Sequence, residues 1–375
     1  MRRAFCFALC LSTVFLCGCG GIYENYREVE QLSVIQTIGL DSIPGGVRLS
    51  LAGTDGNSLL TGTGETVEKA LEQIRRLSFE EDLFIRRAEY ILLGETAAKE
   101  HLTDFLSYIC RSADMRIDTP VFVVKSGTAE ELMRLAGDGE KGISAILQGT
   151  KQYISGRGDC LLSTVLDLSR RLLESGSGLI CALELTKPSD ETGDDRSTAA
   201  VSGCGIIKDG RLADYMDTYT AVGALFLMNK SGICTLSLPD LRGGTAVLEI
   251  SGGRTEIKPI CSSDAALTGL DIRTSVEASV TEIRGGGSLD SKAYLRHLTN
   301  RLEQDISDRI NAVLRLSAEN GADITDVYSL LFASDSTVHA ISAEDLASLL
   351  PTLTSQVTVS ALISHGSDMK GGGIR

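Results

Sequence analysis

The spacing of apolar residues predicts a chain in which strands and helices alternate. Residues 32–40 and 47–51 predict a β-hairpin, because Pro44-Gly45-Gly46 between them favours a turn. Apolar residues three and four apart predict a helix over 67–77. The same reasoning predicts strands over 90–94, 121–124 and 179–185, and helices over 102–109, 143–153 and 161–173. The capping-box pattern Thr128-x-x-Glu131 predicts the start of another helix. This interleaving predicts an α+β fold with mixed or antiparallel sheets and packed helices, not a doubly wound sheet.

A charged segment interrupts the pattern at residues 187–198. It contains Pro and Gly and no apolar residue, so it predicts a linker. The predicted organisation is a signal peptide (1–18), an N-terminal α+β region (19–186) and a C-terminal α+β domain (199–375). One interpretation divides the first region into two subdomains near residue 125. The acidic residues Asp190, Glu191, Asp194 and Asp195 lack the spacing of an EF-hand, which favours a solvated linker over a calcium site.

The C-terminal half has the strongest helical period of the chain. Leu298, Leu302, Ile306 and Ile310 share one stripe of a predicted long amphipathic helix between 289 and 319, capped by Ser288 and ended by Gly321. We expect it to lie across a sheet, and a partner-binding helix is the alternative. The other predicted elements are strands over 199–207, 211–213, 232–238, 246–250, 255–260, 271–283 and 356–364, and helices over 218–228 and 323–332.

The first residues have the organisation of a bacterial lipoprotein signal. Arg2 and Arg3 precede an apolar run over 4–16, which at about 13 residues is shorter than the roughly 20 that a spanning helix needs. Leu16-Cys17-Gly18-Cys19 then predicts cleavage after Gly18 and lipidation of Cys19. The alternative is an ordinary signal peptide and a freely secreted product. Cys19 is the single residue to which the sequence assigns a functional role.

The charge of the chain excludes two kinds of partner. The formal net charge is −14, and loss of Arg2 and Arg3 with the signal takes it to −16. A basic face is needed for non-specific nucleic-acid binding and for adhesion to anionic lipid headgroups. We therefore expect no nucleic-acid partner, and membrane attachment through the lipid alone.

Six cysteines remain in the predicted mature chain after Cys19. Their spacings are wide and irregular, and none forms the Cys-x-x-Cys of a zinc or redox motif. The favoured interpretation is that most are small buried apolar residues, and one or more disulfides are the alternative. These cysteines are Cys110, Cys160, Cys181, Cys204, Cys234 and Cys261.

No catalytic motif is apparent. The four histidines are widely separated, and none is predicted to pair with another His or with a nearby Asp at helical spacing. A Gly-x-Ser-x-Gly elbow, a P-loop and a dinucleotide fingerprint are all missing from the sequence. The sequence therefore predicts no enzyme, no cofactor and no metal site.

Several short motifs, taken in order, carry a resemblance to a known family. They are Arg27-Glu28-Val29, Gly39-Leu40-Asp41, residues 90–95, residues 121–132, Val201-Ser202-Gly203 and Gly321-Ala322-Asp323-Ile324. With the lipoprotein signal and the long helix, the chain resembles the Ger(x)C lipoproteins, the C subunits of spore germinant receptors. The resemblance covers nearly the whole predicted mature chain.

This resemblance implies a non-enzymatic subunit on the outer face of the spore inner membrane. It implies work beside two integral-membrane partners, the receptor A and B subunits, in nutrient-triggered germination. Cys19 is the only functional residue that it transfers. The alternative functions are an exported solute-binding lipoprotein, disfavoured by 5% aromatic residues and no Trp, a structural envelope lipoprotein, and an envelope enzyme.

Overall fold

The structure, a computed structural model, contains two β-sheets and the helices that pack against them. It describes residues 32–53, 59–78, 82–137, 142–186, 198–241, 243–263, 266–285, 289, 291–334 and 342–364. Within these residues the two sheets are mixed, and helices pack against both. The predicted α+β fold class is confirmed.

Nine of the described strands form the first sheet. Eight run in the order β3-β2-β1-β5-β6-β7-β8-β9, and the short β4 pairs with the start of β1. The strands are β1 (Leu32–Ile43), β2 (Gly46–Gly53), β3 (Leu59–Gly64), β4 (Asp82–Phe84), β5 (Tyr90–Gly94), β6 (Val121–Val124), β7 (Ser177–Thr186), β8 (Thr198–Lys208) and β9 (Arg211–Met216).

The centre of this sheet is parallel and its two sides are antiparallel. Strands β1, β5, β6 and β7 run in parallel, whereas β2 with β3 and β8 with β9 add antiparallel strands on either side. Central parallel strands are covered on both faces, so they consist of continuous apolar residues. Residues 121–124 fit this rule, because all four side chains are buried.

Helices cover both faces of the first sheet. One apolar cluster places α1, α2, α3 and α6 on one face, and a second places α4, α5 and α7 on the other. The described helices are α1 (Val67–Leu77), α2 (Glu95–Glu100), α3 (Leu102–Arg111), α4 (Ala129–Gly137), α5 (Ile143–Arg157), α6 (Val165–Ser175), α7 (Thr218–Leu227), α8 (Lys292–Asn320), α9 (Val327–Ser334) and α10 (Ala343–Leu349), with 3-10 turns at Ile85–Arg87 and Leu350–Thr352.

Four described strands form the second sheet, in the order β10-β11-β12-β13. They are β10 (Cys234–Pro239), β11 (Thr245–Cys261), β12 (Leu267–Arg284) and β13 (Thr354–Ser364). The separate strands predicted over 246–250 and 255–260 are wrong, because both belong to β11. A shift in the pairing register between Ile250 and Gly252 lets the strand continue past Gly252 and Gly253.

The predicted long helix is confirmed as α8, which packs across β13 and against α7. Its buried stripe contains Leu298, Leu302 and Ile306, as the period requires, and Gly321 ends it in the left-handed conformation. Ser288 lies outside the described residues, and the N-cap is Ser291, whose hydroxyl accepts from the Tyr294 N–H.

Helix α6 begins later than the sequence predicts. The apolar residues Leu161 and Leu162 precede it, and the helix starts only at Val165. Thr164 and Asp167 form a reciprocal capping box that sets this start. Apolar spacing alone placed the boundary about one turn too early.

The first sheet and the apolar core extend past the predicted linker. Strands β8 and β9 follow that segment and hydrogen-bond into the first sheet. One buried cluster contains both Phe122 of β6 and Leu302 of α8. Residues 187–197 lie outside the described residues, so the predicted boundary stays a prediction.

No helix within the described ranges is both long enough and apolar enough to cross a membrane.

Candidate functional site

The predicted lipidation site, Cys19, lies outside the described residues, which begin at Leu32. The acidic residues of the predicted linker and His339 and His365 also lie outside them. The described part of the candidate site therefore consists of the motif residues and the clefts of the folded region.

One of the described histidines, His101, lies beside an aspartate. His101 Nδ1 lies 3.9 Å from Asp104 Oδ2, at a helical spacing of three. The prediction that no histidine pairs with a nearby Asp at helical spacing is therefore wrong for His101, because the spacing brings the two side chains to one face of the helix start. Within the described residues, no group of three or more His, Cys, Asp or Glu side chains is arranged to hold a metal ion.

Asp41 occupies a structural position at the start of α4. Its two carboxylate oxygens accept hydrogen bonds from the Ala129 and Glu130 N–H groups, at 2.7 and 2.9 Å. The side chain is 3% exposed, and burial raises its pKa while the two N–H groups lower it. The motif Gly39-Leu40-Asp41 thus carries a helix cap from a strand that lies 88 residues earlier in the chain.

The neighbouring glycines make room for this cap. A Cβ at Gly94 would lie 2.1 Å from Asp41 Oδ1, and a Cβ at Gly39 would lie 2.5 Å from Met133 Sδ on α4. A side chain at Gly94 would displace the capping Asp41 carboxylate, whereas one at Gly39 would require the flexible Met133 side chain to shift. The sequence predicted Thr128 as the cap of this helix, and its hydroxyl does accept from the Glu131 N–H at 3.1 Å.

We expect Asp41→Ala to lower the free energy of unfolding by about 2 kcal/mol, because it leaves two N–H groups at the start of α4 without acceptors. Thr128→Ala removes the more exposed cap, so its cost should be about 1 kcal/mol or less. Urea unfolding followed by circular dichroism measures both. A larger loss for Thr128→Ala than for Asp41→Ala would contradict the assignment.

The motif Val201-Ser202-Gly203 is explained by close strand packing. Gly203 has a φ of +115°, and a Cβ there would lie 2.0 Å from the Met216 carbonyl oxygen of β9. Any side chain would force β8 away from β9 at this point. The motif therefore preserves the antiparallel side of the first sheet.

Gly321-Ala322-Asp323-Ile324 lies where α6 meets the end of α8. The Asp323 side chain is fully buried, and its oxygens accept from the Val327 and Tyr328 N–H groups at 2.9 and 2.7 Å, which starts α9. Burial raises the pKa of Asp323, whereas the Tyr328 N–H and Arg171 lower it.

Arg171 of α6 reaches this loop and joins the two halves of the chain. Its Nη2 donates to the Asp323 carbonyl oxygen at 3.0 Å, and its Nη1 lies 3.0 Å from Asp326 Oδ2. The Arg171 side chain is 5% exposed. A buried guanidinium needs such partners. The loop that contains Asp323 therefore stabilises the packing of α6 against the end of α8, two elements that are far apart in sequence.

An open cleft of about 450 Å³ lies between α5, α7, α8 and β10. Arg309 of α8 lines it and stacks on Tyr219, with 3.9 Å from the guanidinium carbon to the ring centroid. Arg309 Nε donates to Asp305 at 2.6 Å, and Nη1 donates to the Tyr219 carbonyl at 3.1 Å. Across the cleft, Tyr153 Oη donates to Asp159 Oδ2 at 2.5 Å.

Close helix packing positions the guanidinium of this cleft. A Cβ at Gly223 of α7 would lie 2.5 Å from the Arg309 carbonyl oxygen, so α7 and α8 touch backbone to backbone at this crossing. The polar side chains of the cleft hydrogen-bond to neighbouring residues of the protein. The hydrogen bond from Tyr153 to Asp159 raises the pKa of the Tyr153 phenol.

Two family models match the chain in order. Residues 25–185 match "Spore germination protein N-terminal domain", and residues 202–366 match "Spore germination B3/ GerAC like, C-terminal". The chain belongs to the GerAC-like spore germination family. This confirms the predicted Ger(x)C family of germinant-receptor C subunits.

The fold of this GerAC-like chain is also found in a solved structure. "Crystal Structure of the GerBC protein" aligns over 90% of this chain and 99% of that chain, with a TM-score of 0.58 and 17% sequence identity. This likeness concerns the fold. A search of curated proteins gave no match.

The cleft was missed by sequence reasoning, whereas the motifs were found but without their roles. Tyr153, Tyr219 and Arg309 come from three helices that are far apart in the chain, and no local spacing connects them. Asp41 and Asp323 belong to motifs that are recognisable in the sequence, yet only the structure reveals that each caps a helix with both carboxylate oxygens.

Proposed function

We propose that this protein is a lipid-anchored C subunit of a spore germinant receptor. Lipidated Cys19 holds it on the outer face of the spore inner membrane. It works beside two integral-membrane partners, the receptor A and B subunits, in nutrient-triggered germination. The observation that carries the proposal is the match of both spore germination models, in order, over residues 25–185 and 202–366, and the predicted lipoprotein signal precedes them.

The described motif residues have structural roles. The motif aspartates Asp41 and Asp323 each accept helix N–H groups with both carboxylate oxygens, which assigns them to helix capping. Arg309 in the open cleft is occupied by Asp305 and the Tyr219 carbonyl. We therefore assign no enzymatic activity and no cofactor to the chain.

The lipid is the proposed membrane attachment. A diacylated cysteine supplies two chains, which is enough for stable anchoring, whereas one chain binds only reversibly. The acidic character of the chain repels anionic headgroups, so the folded region adds no electrostatic adhesion.

The alternative of a solute-binding lipoprotein has weaker support. That class places its ligand between two α/β lobes in a cleft rich in aromatic side chains. Here the apolar core is continuous between the two sheets, and the cleft between α5, α7, α8 and β10 is lined by mixed polar and apolar residues that include two tyrosines.

Deletion of the gene tests the proposed function. Spores without the protein should form normally but lose the optical-density decrease that follows addition of at least one nutrient, and the wild-type gene should restore it. The strain must carry no second gene of the same family. Full germination of such spores on every nutrient would overturn the proposal, as would failure of a tagged, detergent-solubilised protein to copurify with any A or B subunit.

A further inference from the structure

Three cysteines meet inside the first sheet. Cys160 lies in the segment before α6, Cys181 lies on β7 and Cys204 lies on β8. Cys181 and Cys204 face each other directly in the antiparallel pairing of β7 with β8. All three side chains are buried, with 3%, 0% and 1% of their surface exposed.

Cys160 and Cys204 are in direct contact. Their sulfur atoms lie 3.1 Å apart, and the Cys160 thiol also lies 3.0 Å from the Gly203 carbonyl oxygen. A disulfide bond measures about 2.05 Å, so the two sulfurs need to approach by only about 1 Å. Both residues belong to the same buried apolar cluster, so the packing holds the two side chains beside each other.

The compartment decides whether such a pair is oxidised. Disulfides persist outside the cytoplasm and are rare within it. The proposed function places the folded region outside the membrane, and the present inference rests on that placement.

We propose that Cys160 and Cys204 are joined by a disulfide bond in the mature protein. The bond connects the first family-matched region to the second and spans the predicted linker, since the two residues are 44 positions apart. It thus ties the segment before α6 to strand β8. The third thiol, Cys181, stays reduced.

The oxidation requires an electron acceptor, which we assign to a disulfide-bearing thiol oxidoreductase of the cell envelope. The thiolate of one cysteine attacks a sulfur of that disulfide, forms a mixed disulfide and releases one thiol of the enzyme. The second cysteine then attacks the mixed disulfide and releases the other. One S–S bond forms and one breaks, and the two protons and two electrons of the cysteines end on the enzyme's dithiol.

The timing follows from the burial of the thiols. Hydrogen bonding to Cys181 raises the pKa of the Cys160 thiol, and hydrogen bonding to Cys160 together with burial raises that of Cys204. Protonated, buried thiols exchange slowly. The bond therefore forms while the chain folds after export, before β8 closes against the segment that carries Cys160.

The test is a map of the thiols in the full-length protein isolated from membranes of a spore-forming host. Free thiols are blocked with N-ethylmaleimide in denaturant at acid pH, and trypsin digestion follows without reductant. Cleavage after Lys and Arg places the three cysteines on separate peptides, residues 158–170, 172–196 and 197–208. Mass spectrometry should find the first and third joined, while the peptide of Cys181 carries the label.

Controls come from the chain itself. The exposed Cys110 and Cys261 should be labelled without reduction. Cys181→Ala should retain the joined peptides, whereas Cys160→Ala should leave Cys204 labelled and lower the thermal midpoint by several degrees. Reduction of the wild type should lower the midpoint similarly, which separates loss of the bond from loss of packing.

The outcomes are distinguishable from those of the proposed function. Free Cys160 and Cys204 in protein that carries lipid on Cys19 would overturn the disulfide and leave the receptor proposal standing. A bond that includes Cys181 would overturn the pairing. Free thiols in the membrane protein, combined with efficient bond formation by the purified chain in oxidised glutathione, would overturn the disulfide and count against the proposed location outside the membrane.

Discussion

Replacement of Cys19 by Ala is expected to abolish lipid labelling, and to release into the soluble fraction every molecule from which the apolar run over 4–16 is also removed. The reason is that the lipid on this residue is the proposed anchor, and the remaining folded region is acidic. Cell fractionation, followed by a wash at high salt and immunoblotting, measures the distribution. Metabolic labelling with an alkyne fatty acid should mark the wild type and not the variant.

Cys17→Ala is the matched control for this experiment. It removes a cysteine two positions away, in the same segment and with the same change of side chain. Ala is an ordinary residue at this place of a lipoprotein signal, so cleavage and lipidation should proceed. Loss of the anchor in both variants would indicate that the substitution damages the signal rather than the lipidation site.

A second variant tests whether an uncleaved signal holds the protein on the membrane. Without lipidation the apolar run over 4–16 stays attached and can itself hold the chain on the membrane. Exchange of residues 1–19 for a conventional secretory signal that ends in Ala-x-Ala removes both the run and the cysteine. Membrane retention of this second variant after the salt wash would show that the anchor lies elsewhere in the chain.

Arg171→Ala is expected to lower the free energy of unfolding by about 3 kcal/mol, because removal of one partner from a buried ion pair leaves the other uncompensated. The guanidinium is 5% exposed and holds both the Asp323 carbonyl and the Asp326 carboxylate. Its loss also withdraws a positive charge from beside the fully buried Asp323. Urea unfolding monitored by circular dichroism gives the value.

Arg170→Ala is the control, one position away on the same helix. The Arg170 side chain is 47% exposed and pairs mainly with Glu174 along the helix. Its Nη2 lies 3.8 Å from Asp326, beyond hydrogen-bond distance. Exposed pairs contribute about 1 kcal/mol or less, so this variant should be nearly as stable as the wild type. Equal losses for the two variants would contradict the assigned role of Arg171.

The different burial of Arg170 and Arg171 cannot be predicted from the residue pattern of their helix. Both lie in the predicted helix and have the same side chain, yet one is buried against the loop after α8 and the other faces solvent. That difference depends on where α9 and its preceding loop pack, more than 140 residues later in the chain. The residues of α6 alone therefore do not determine which of the two arginines is buried.

Elements with a strong local signal were predicted with accurate bounds. Strands β5 and β6 and helix α1 match the predicted residues, because continuous apolar runs and steps of three and four act within one element. Asp209 and Gly210, between β8 and β9, both have positive φ, which is the conformation of a type I′ turn. Weak signals failed: β3, β4, α2 and α10 are short and were not predicted.

The sequence by itself determined the α+β class, the long helix, the family and the candidate lipid anchor at Cys19. These features depend on periodicity and on short ordered motifs, which involve residues close together in the chain. Only the tertiary structure decided that Asp41 caps α4, that Arg171 joins the two halves, and that Cys160 touches Cys204. The physical reason is that such contacts arise when apolar faces of distant elements pack, and the spacing of residues within one element carries no record of which face it will meet.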